Sequence, residues 1–141
     1  MERSEQQGPT SGLTPHLSIG GGRAAEAIDF YTAAFGAEEL MRMPTDDGSR
    51  LMHAHLRVNG ASLMMADDFP EYTGHAAGPP DGVTLHLQVQ DADAAWQRAL
   101  GAGATVKMEL ADQFWGDRYG RVQDPFGHTW SIGGPAVAKQ D

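Results

Sequence analysis

The sequence predicts an α+β fold built from two consecutive βαβββ units, and three observations predict it. Patterned segments follow one another as β-α-β-β-β, an irregular stretch, then β-α-β-β-β. Two strands match locally, Thr14-Pro15-His16-Leu17-Ser18-Ile19 with Thr84-Leu85-His86-Leu87-Gln88-Val89. The turn Asn59-Gly60 with Ser62–Met65 after it matches the turn ending in Gly127 with Thr129–Ile132. A repeated supersecondary unit is a fold-level signal, because one unit cannot bury its apolar faces alone.

Residues 1–12 and 134–141 are small and polar and read as tails. Order is expected from Leu13, with unit one over 13–67, a connecting loop over 68–82 and unit two over 83–133 of a single domain. In Thr14–Ile19, Thr14, His16 and Ser18 fall on one face and Leu17 and Ile19 on the other. Gly20-Gly21-Gly22 is a loop without the lysine and spacing of a phosphate cradle. Arg23–Gly36 reads as a helix with Ala24, Ala27, Ile28, Tyr31 and Phe35 as its stripe and Gly36 as its stop.

Glu38–Met43 is a strand and Asp46-Asp47-Gly48 a turn. Leu51–Val58 alternates, with His53, His55 and Arg57 opposite Met52, Ala54, Leu56 and Val58. Asn59-Gly60 signals a two-residue hairpin into Ala61–Ala66, where Ser62 and Met64 oppose Leu63 and Met65. The irregular stretch with Phe69 and Tyr72 is long enough to be a linker or a functional loop. Val83–Val89 alternates again, setting Thr84, His86 and Gln88 against Val83, Leu85, Leu87 and Val89. Asp91 is a good N-cap for a helix running to about Gly101, striped by Ala92, Ala95, Trp96, Ala99 and Leu100.

Thr105–Leu110 is a strand leading into Phe114-Trp115-Gly116-Asp117-Arg118-Tyr119. Aromatics beside mixed charge at a strand entrance are either core or the wall of a pocket. Asp124-Pro125-Phe126-Gly127 has the acceptor, fixed φ and glycine of a turn, and joins Tyr119–Gln123 to His128–Ile132 as a hairpin. If the two helices cover the apolar strand faces, the opposite faces carry Thr14, His16, Ser18, His53, His55, Arg57, Met64, Thr84, His86 and Gln88 and look like a cavity lining.

Acidic residues outnumber basic ones 19 to 10, a net charge of −9. Such a surface repels nucleic acid and anionic lipid, so neither is an expected partner. The chain has no cysteine, which excludes disulfides, thiolate ligands and a cysteine nucleophile. No apolar run reaches membrane length, and the N-terminal stretch lacks the apolar segment of a signal peptide, so a cytoplasmic protein is expected.

The sequence resembles the vicinal-oxygen-chelate superfamily of glyoxalases, bleomycin-resistance proteins and dioxygenases, and within it the PhnB-like glyoxalase-fold proteins. The resemblance covers 13–133. It rests on Ala25-Glu26-Ala27-Ile28-Asp29-Phe30-Tyr31 with Phe35-Gly36-Ala37-Glu38, on Leu63-Met64-Met65-Ala66-Asp67, and on Phe114–Gly120 running into Asp124-Pro125-Phe126-Gly127. It implies paired βαβββ units whose curved mixed sheets enclose a cavity, and a homodimer. Members usually take metal ligands from the first and last strands of each half. Those positions match Thr14, Met64, Thr84 and Ser131, with His16 as the alternative to Thr14.

Hard or borderline ions want carboxylate or imidazole, so no metal and no cofactor is expected, a divalent metal being the alternative. The resemblance therefore implies a binder of a small organic molecule, with His16, His53, His55, Met64 and His86 on the floor and Ser131 also ligand-binding. Trp115, Arg118 and Tyr119 would form a wall, and Phe69 and Tyr72 a covering loop. The alternatives are a metal-dependent lyase, isomerase or dioxygenase, and a non-catalytic domain with a vestigial cavity. Whether a bond is made is left open.

Overall fold

The computed structural model describes residues 8–136, which divide into two compact units, within 1–78 and 79–141. The parts of the expected tails at 1–7 and 137–141 lie outside the described residues. Each unit holds one four-stranded mixed sheet and a long helix, in an α+β arrangement of paired units whose sheets do not close into barrels.

The first unit runs β1 (His16–Ile19), a 3₁₀ turn at Gly20–Gly22, α1 (Ala24–Phe35), β2 (Glu38–Pro44), β3 (Leu51–Val58), β4 (Ala61–Asp67) and the single-turn α2 (Pro70–Thr73). Its strand order is β1-β4-β3-β2, with β1 parallel to β4 and the other pairs antiparallel. The stripe on α1 buries Ala24, Ala27, Ile28, Phe30, Tyr31 and Ala34. Gly36 ends the helix in the left-handed region at φ 69°, donating its N–H to the Tyr31 carbonyl. Leu17, Ile19, Ala54, Leu56, Leu63 and Met65 are among the buried strand residues, each large one contributing about 1.5–3 kcal/mol of transfer free energy. Asn59 at φ 50° and Gly60 at φ 82° make the two-residue turn that their dipeptide signals.

The helix start is capped from a distance. Arg23 supplies no capping side chain, and the Ala24 N–H donates instead to Asp67 Oδ1 at 2.8 Å. Asp67 Oδ2 accepts from the Leu51 N–H at 2.7 Å. One buried carboxylate thus ties α1, β3 and the end of β4 together.

Two sequence expectations fail in this unit for local reasons. Met43 pairs with His53 and Pro44 with Leu51, so Met52 is the extra residue of a β-bulge. It is 52% exposed rather than buried beside Ala54 and Leu56. The stretch expected to be irregular after Asp67 also winds one helical turn, started by Pro70 and stopped by Gly74 at φ 88°.

The second unit runs β5 (Thr84–Gln88), α3 (Ala92–Ala102), β6 (Thr105–Asp112), β7 (Asp117–Gln123) and β8 (Thr129–Pro135). Its strand order, β5-β8-β7-β6, repeats that of the first. β8 continues through Gly134 and Pro135, which pair with Arg118 and Asp117, so the expected tail from residue 134 begins as strand. Asp91 Oδ1 accepts from the Ala94 N–H at 3.0 Å and caps α3.

Trp96 on α3 is 4% exposed and lies directly on β7. A Cβ at Gly120 would fall 2.7 Å from its ring and 2.8 Å from Leu110 Cα, so only glycine fits there. The β7–β8 turn is organised by buried Asp124. Its Oδ1 accepts from the Phe126 and His128 N–H groups, both at 2.9 Å, and its Oδ2 from Trp130 Nε1 at 2.9 Å.

Candidate functional site

The face of each sheet away from its helix carries the residues singled out by sequence. Parallel pairing aligns β1 with β4 so that His16 faces Met64, and β5 with β8 so that His86 faces Ser131. The repeat is therefore maintained in register. The strand partners of Met64 and Ser131 are thus His16, the alternative to Thr14, and His86. Thr14 precedes the start of β1, and Thr84 pairs with Thr129.

In the first unit the row continues across the sheet, since Met64 also pairs with His55 and His55 with Met41. His55 is fully buried and its Nε2 lies 2.8 Å from Ser62 Oγ. His53 stands two residues away near His16. Burial first, and the neighbouring His53 second, hold the His16 imidazole below its ordinary pKa. The folded chain thus favours neutral His16, a contribution present above the ordinary value near 6.5 and lost as pH falls from there through the lower folded value. Histidine NMR titration should find His16 low, and His53→Ala should raise it part of the way. An unmoved midpoint would contradict the pairing.

The second unit builds a tighter cluster. His86 Nδ1 lies 2.7 Å from Ser131 Oγ and Nε2 lies 2.7 Å from Gln88 Oε1. Gln88 Nε2 donates to Asp117 Oδ2 at 3.3 Å, which orients the amide so that its oxygen meets the imidazole. A carboxamide oxygen only accepts, so Nε2 carries the His86 proton and the Ser131 hydroxyl donates to Nδ1. The ring stacks on Tyr119 at 5.8 Å and 22°. It also covers Gly133, where a Cβ would sit 2.9 Å from His86 Cε1.

Tyr119 joins the cluster to solvent. Arg121 Nε donates to its hydroxyl at 3.1 Å. Burial pushes the phenol up, but hydrogen bonds with Ser131 and Arg121 outweigh it and leave the pKa below its ordinary value. Trp115 meets Tyr119 edge to face at 5.8 Å and Phe114 at 5.0 Å, and is 51% exposed. Ser131 is 1% exposed, and its hydroxyl serves His86.

Arg118 stands elsewhere, which corrects its expected place in the wall. Its Nε reaches Asp93 of α3 and its Nη1 reaches Asp112 of β6, at 3.0 and 3.1 Å. Neighbouring residues on a strand point to opposite faces, so Arg118 and Tyr119 cannot share one. The guanidinium beside Tyr119 is Arg121, two residues on, and the alternation of β7 was the signal for it. Gln88 and Asp117 complete the cluster in the same way.

A divalent metal of the superfamily's usual kind needs carboxylate or imidazole donors at these positions. Each candidate pair offers one imidazole, with a thioether at Met64 or a hydroxyl at Ser131. No carboxylate stands at either position, and both His86 nitrogens are engaged. Among the described residues no group of three or more His, Asp or Glu side chains is placed to hold an ion. The residues present do not fit a divalent centre.

Two units of like topology, each with a parallel first-to-last strand pair and a polar row across it, define the class of paired βαβββ proteins. The chain belongs to the Glyoxalase/Bleomycin resistance protein/Dioxygenase superfamily, whose family model matches residues 14–132. An uncharacterized protein of Mycobacterium tuberculosis is 51% identical over 142 residues, covering 93% of this chain and 82% of the relative. Among solved structures, TioX from Micromonospora is 27% identical with a TM-score of 0.68, covering 89% of this chain and all of that one (100%). The PhnB protein of Bacillus cereus is 22% identical with a TM-score of 0.69 over 88% of this chain and 99% of its own, a likeness of fold. No helix among the described residues is long and apolar enough to cross a membrane.

Proposed function

We propose that this is a cytoplasmic protein that binds a small planar organic molecule without a metal ion, sequestering it rather than transforming it. The observation that supports the reading is the His86 cluster. Its imidazole is locked by Ser131 and Gln88 and stacked on Tyr119, next to a half-exposed indole. A rigid aromatic and polar wall of this kind favours stacking on a flat ligand, since little side-chain freedom is lost on binding. The hydroxyl and amide that hold the ring also occupy the valences a metal would need.

The homodimer implied by family resemblance belongs to the same proposal. A dimer in which the first unit of one protomer meets the second unit of its partner gives each polar face a cover. Sedimentation at micromolar concentration is expected to show a stable dimer, and a monomer there would overturn this part.

The metal-free reading is tested by exhaustive dialysis against chelator. The melting temperature is expected to stay where it was. A resident ion at a hundred times its Kd would have stabilised the native state by about 2.7 kcal/mol, and its removal would register plainly. Near-stoichiometric zinc, nickel, manganese or iron in protein purified without chelator would overturn the proposal. With acridine as the planar probe, tryptophan fluorescence should be quenched, and Trp115→Ala should weaken binding about two- to tenfold.

A further inference from the structure

The first unit holds a concave site of its own. It is a cavity of about 750 Å³ lined by Thr45, Asp46, Asp47, Arg50, Met52, Phe69 and Tyr72. That volume is in the range of small-molecule pockets. The sequence pattern hid it, because it exists only through the bulge that turns Met52 outward and the single turn of α2 that sets Phe69 and Tyr72 beside it.

The lining has one chemical character. Phe69 and Tyr72 lie 6.4 Å apart at 45°, and Tyr72 is 83% exposed although its ring is large and mostly apolar. Met52 adds a polarisable thioether. The rim is acidic. Asp47 accepts from Thr45 Oγ1, Ser49 N and Ser49 Oγ, which fixes its carboxylate in the turn. Asp46 takes no part in those bonds and is exposed. Arg50 does not offset them, for it is spent on Glu71 by two contacts, on the Asp68 carbonyl at 3.3 Å and on the face of Phe69 at 4.2 Å. The fold itself thus already seats a cation on this aromatic cluster.

We propose that this cavity binds an organic cation, an ammonium or phosphonium group carried on an apolar body. Aromatic faces attract such a cation through their negative π-surface, the thioether and ring edges take the apolar body, and Asp46 and Asp47 supply the field. An anion of the same shape meets two carboxylates and no free positive charge.

Calorimetry with tetraphenylphosphonium and with tetraphenylborate, equal in shape and opposite in charge, separates charge from greasiness. The phosphonium is expected to bind and the borate to bind at least tenfold more weakly. Asp46→Asn and Tyr72→Ala, both at exposed positions that leave the core intact, should each weaken the phosphonium about two- to thirtyfold. Raising the salt should weaken it further. Trp115→Ala, which weakens acridine at the His86 cluster, should leave the phosphonium affinity where it was, so the two sites fail separately. The proposal is overturned by equal binding of the two ions, by no binding of the phosphonium, or by affinity lost in Trp115→Ala and kept in Asp46→Asn and Tyr72→Ala.

Discussion

Asp124→Ala is expected to destabilise the second unit by about 3–5 kcal/mol, read as a loss of midpoint in urea unfolding. The carboxylate is 4% exposed and accepts three hydrogen bonds, two from the backbone of its own turn and one from the Trp130 indole. Removing it strands the indole N–H in a residue that is 2% exposed, where a lost partner costs about 1–3 kcal/mol. The two backbone donors regain water only in part. A double-mutant cycle isolates the indole's share, because in a Trp130→Phe background the donor is gone and Asp124→Ala should cost less. A cost under about 1 kcal/mol in the single variant would show that the turn holds itself without this side chain.

The second large effect separates two tryptophans. Trp96→Ala is expected to cost about 3–5 kcal/mol, the transfer energy of the ring plus the cavity it leaves against Gly120. Trp115→Ala should cost much less, because half of that indole is already wet in the free protein and its contacts are Tyr119 and exposed Phe114. Its loss should appear in acridine binding instead. Equal unfolding midpoints for the two variants would place Trp115 in the core and remove the wall from the proposed function.

Much of the fold was legible because local signals agreed with one another. Alternation at His16–Ile19, the stripe and stop of α1, the Asn59-Gly60 turn and the repeat of the first strand each point to the element observed. What failed to show was non-local. Asp67 caps a helix that begins 43 residues before it, and no spacing rule reaches that far. The Met52 bulge breaks period two by a single residue, so a residue assigned to the core stands in a cavity wall. At the site, His86 was placed by pattern and Ser131 by the resemblance, but their hydrogen bond depends on the register between β5 and β8. Arg118 was misplaced because nearness in sequence stood in for a shared face, where the strand's own alternation selects Arg121.

Gly133 beneath His86 has a consequence for recognising chains that share this site. Any side chain at 133 would press on a ring that two hydrogen bonds hold in place, so the glycine can give way only where the imidazole does. The two positions should therefore covary among relatives, with a bulkier residue at the first accompanied by something other than histidine at the second. A glycine four residues after the strand's opening threonine thus becomes a marker in sequence databases. Chains without it lack room for the locked imidazole.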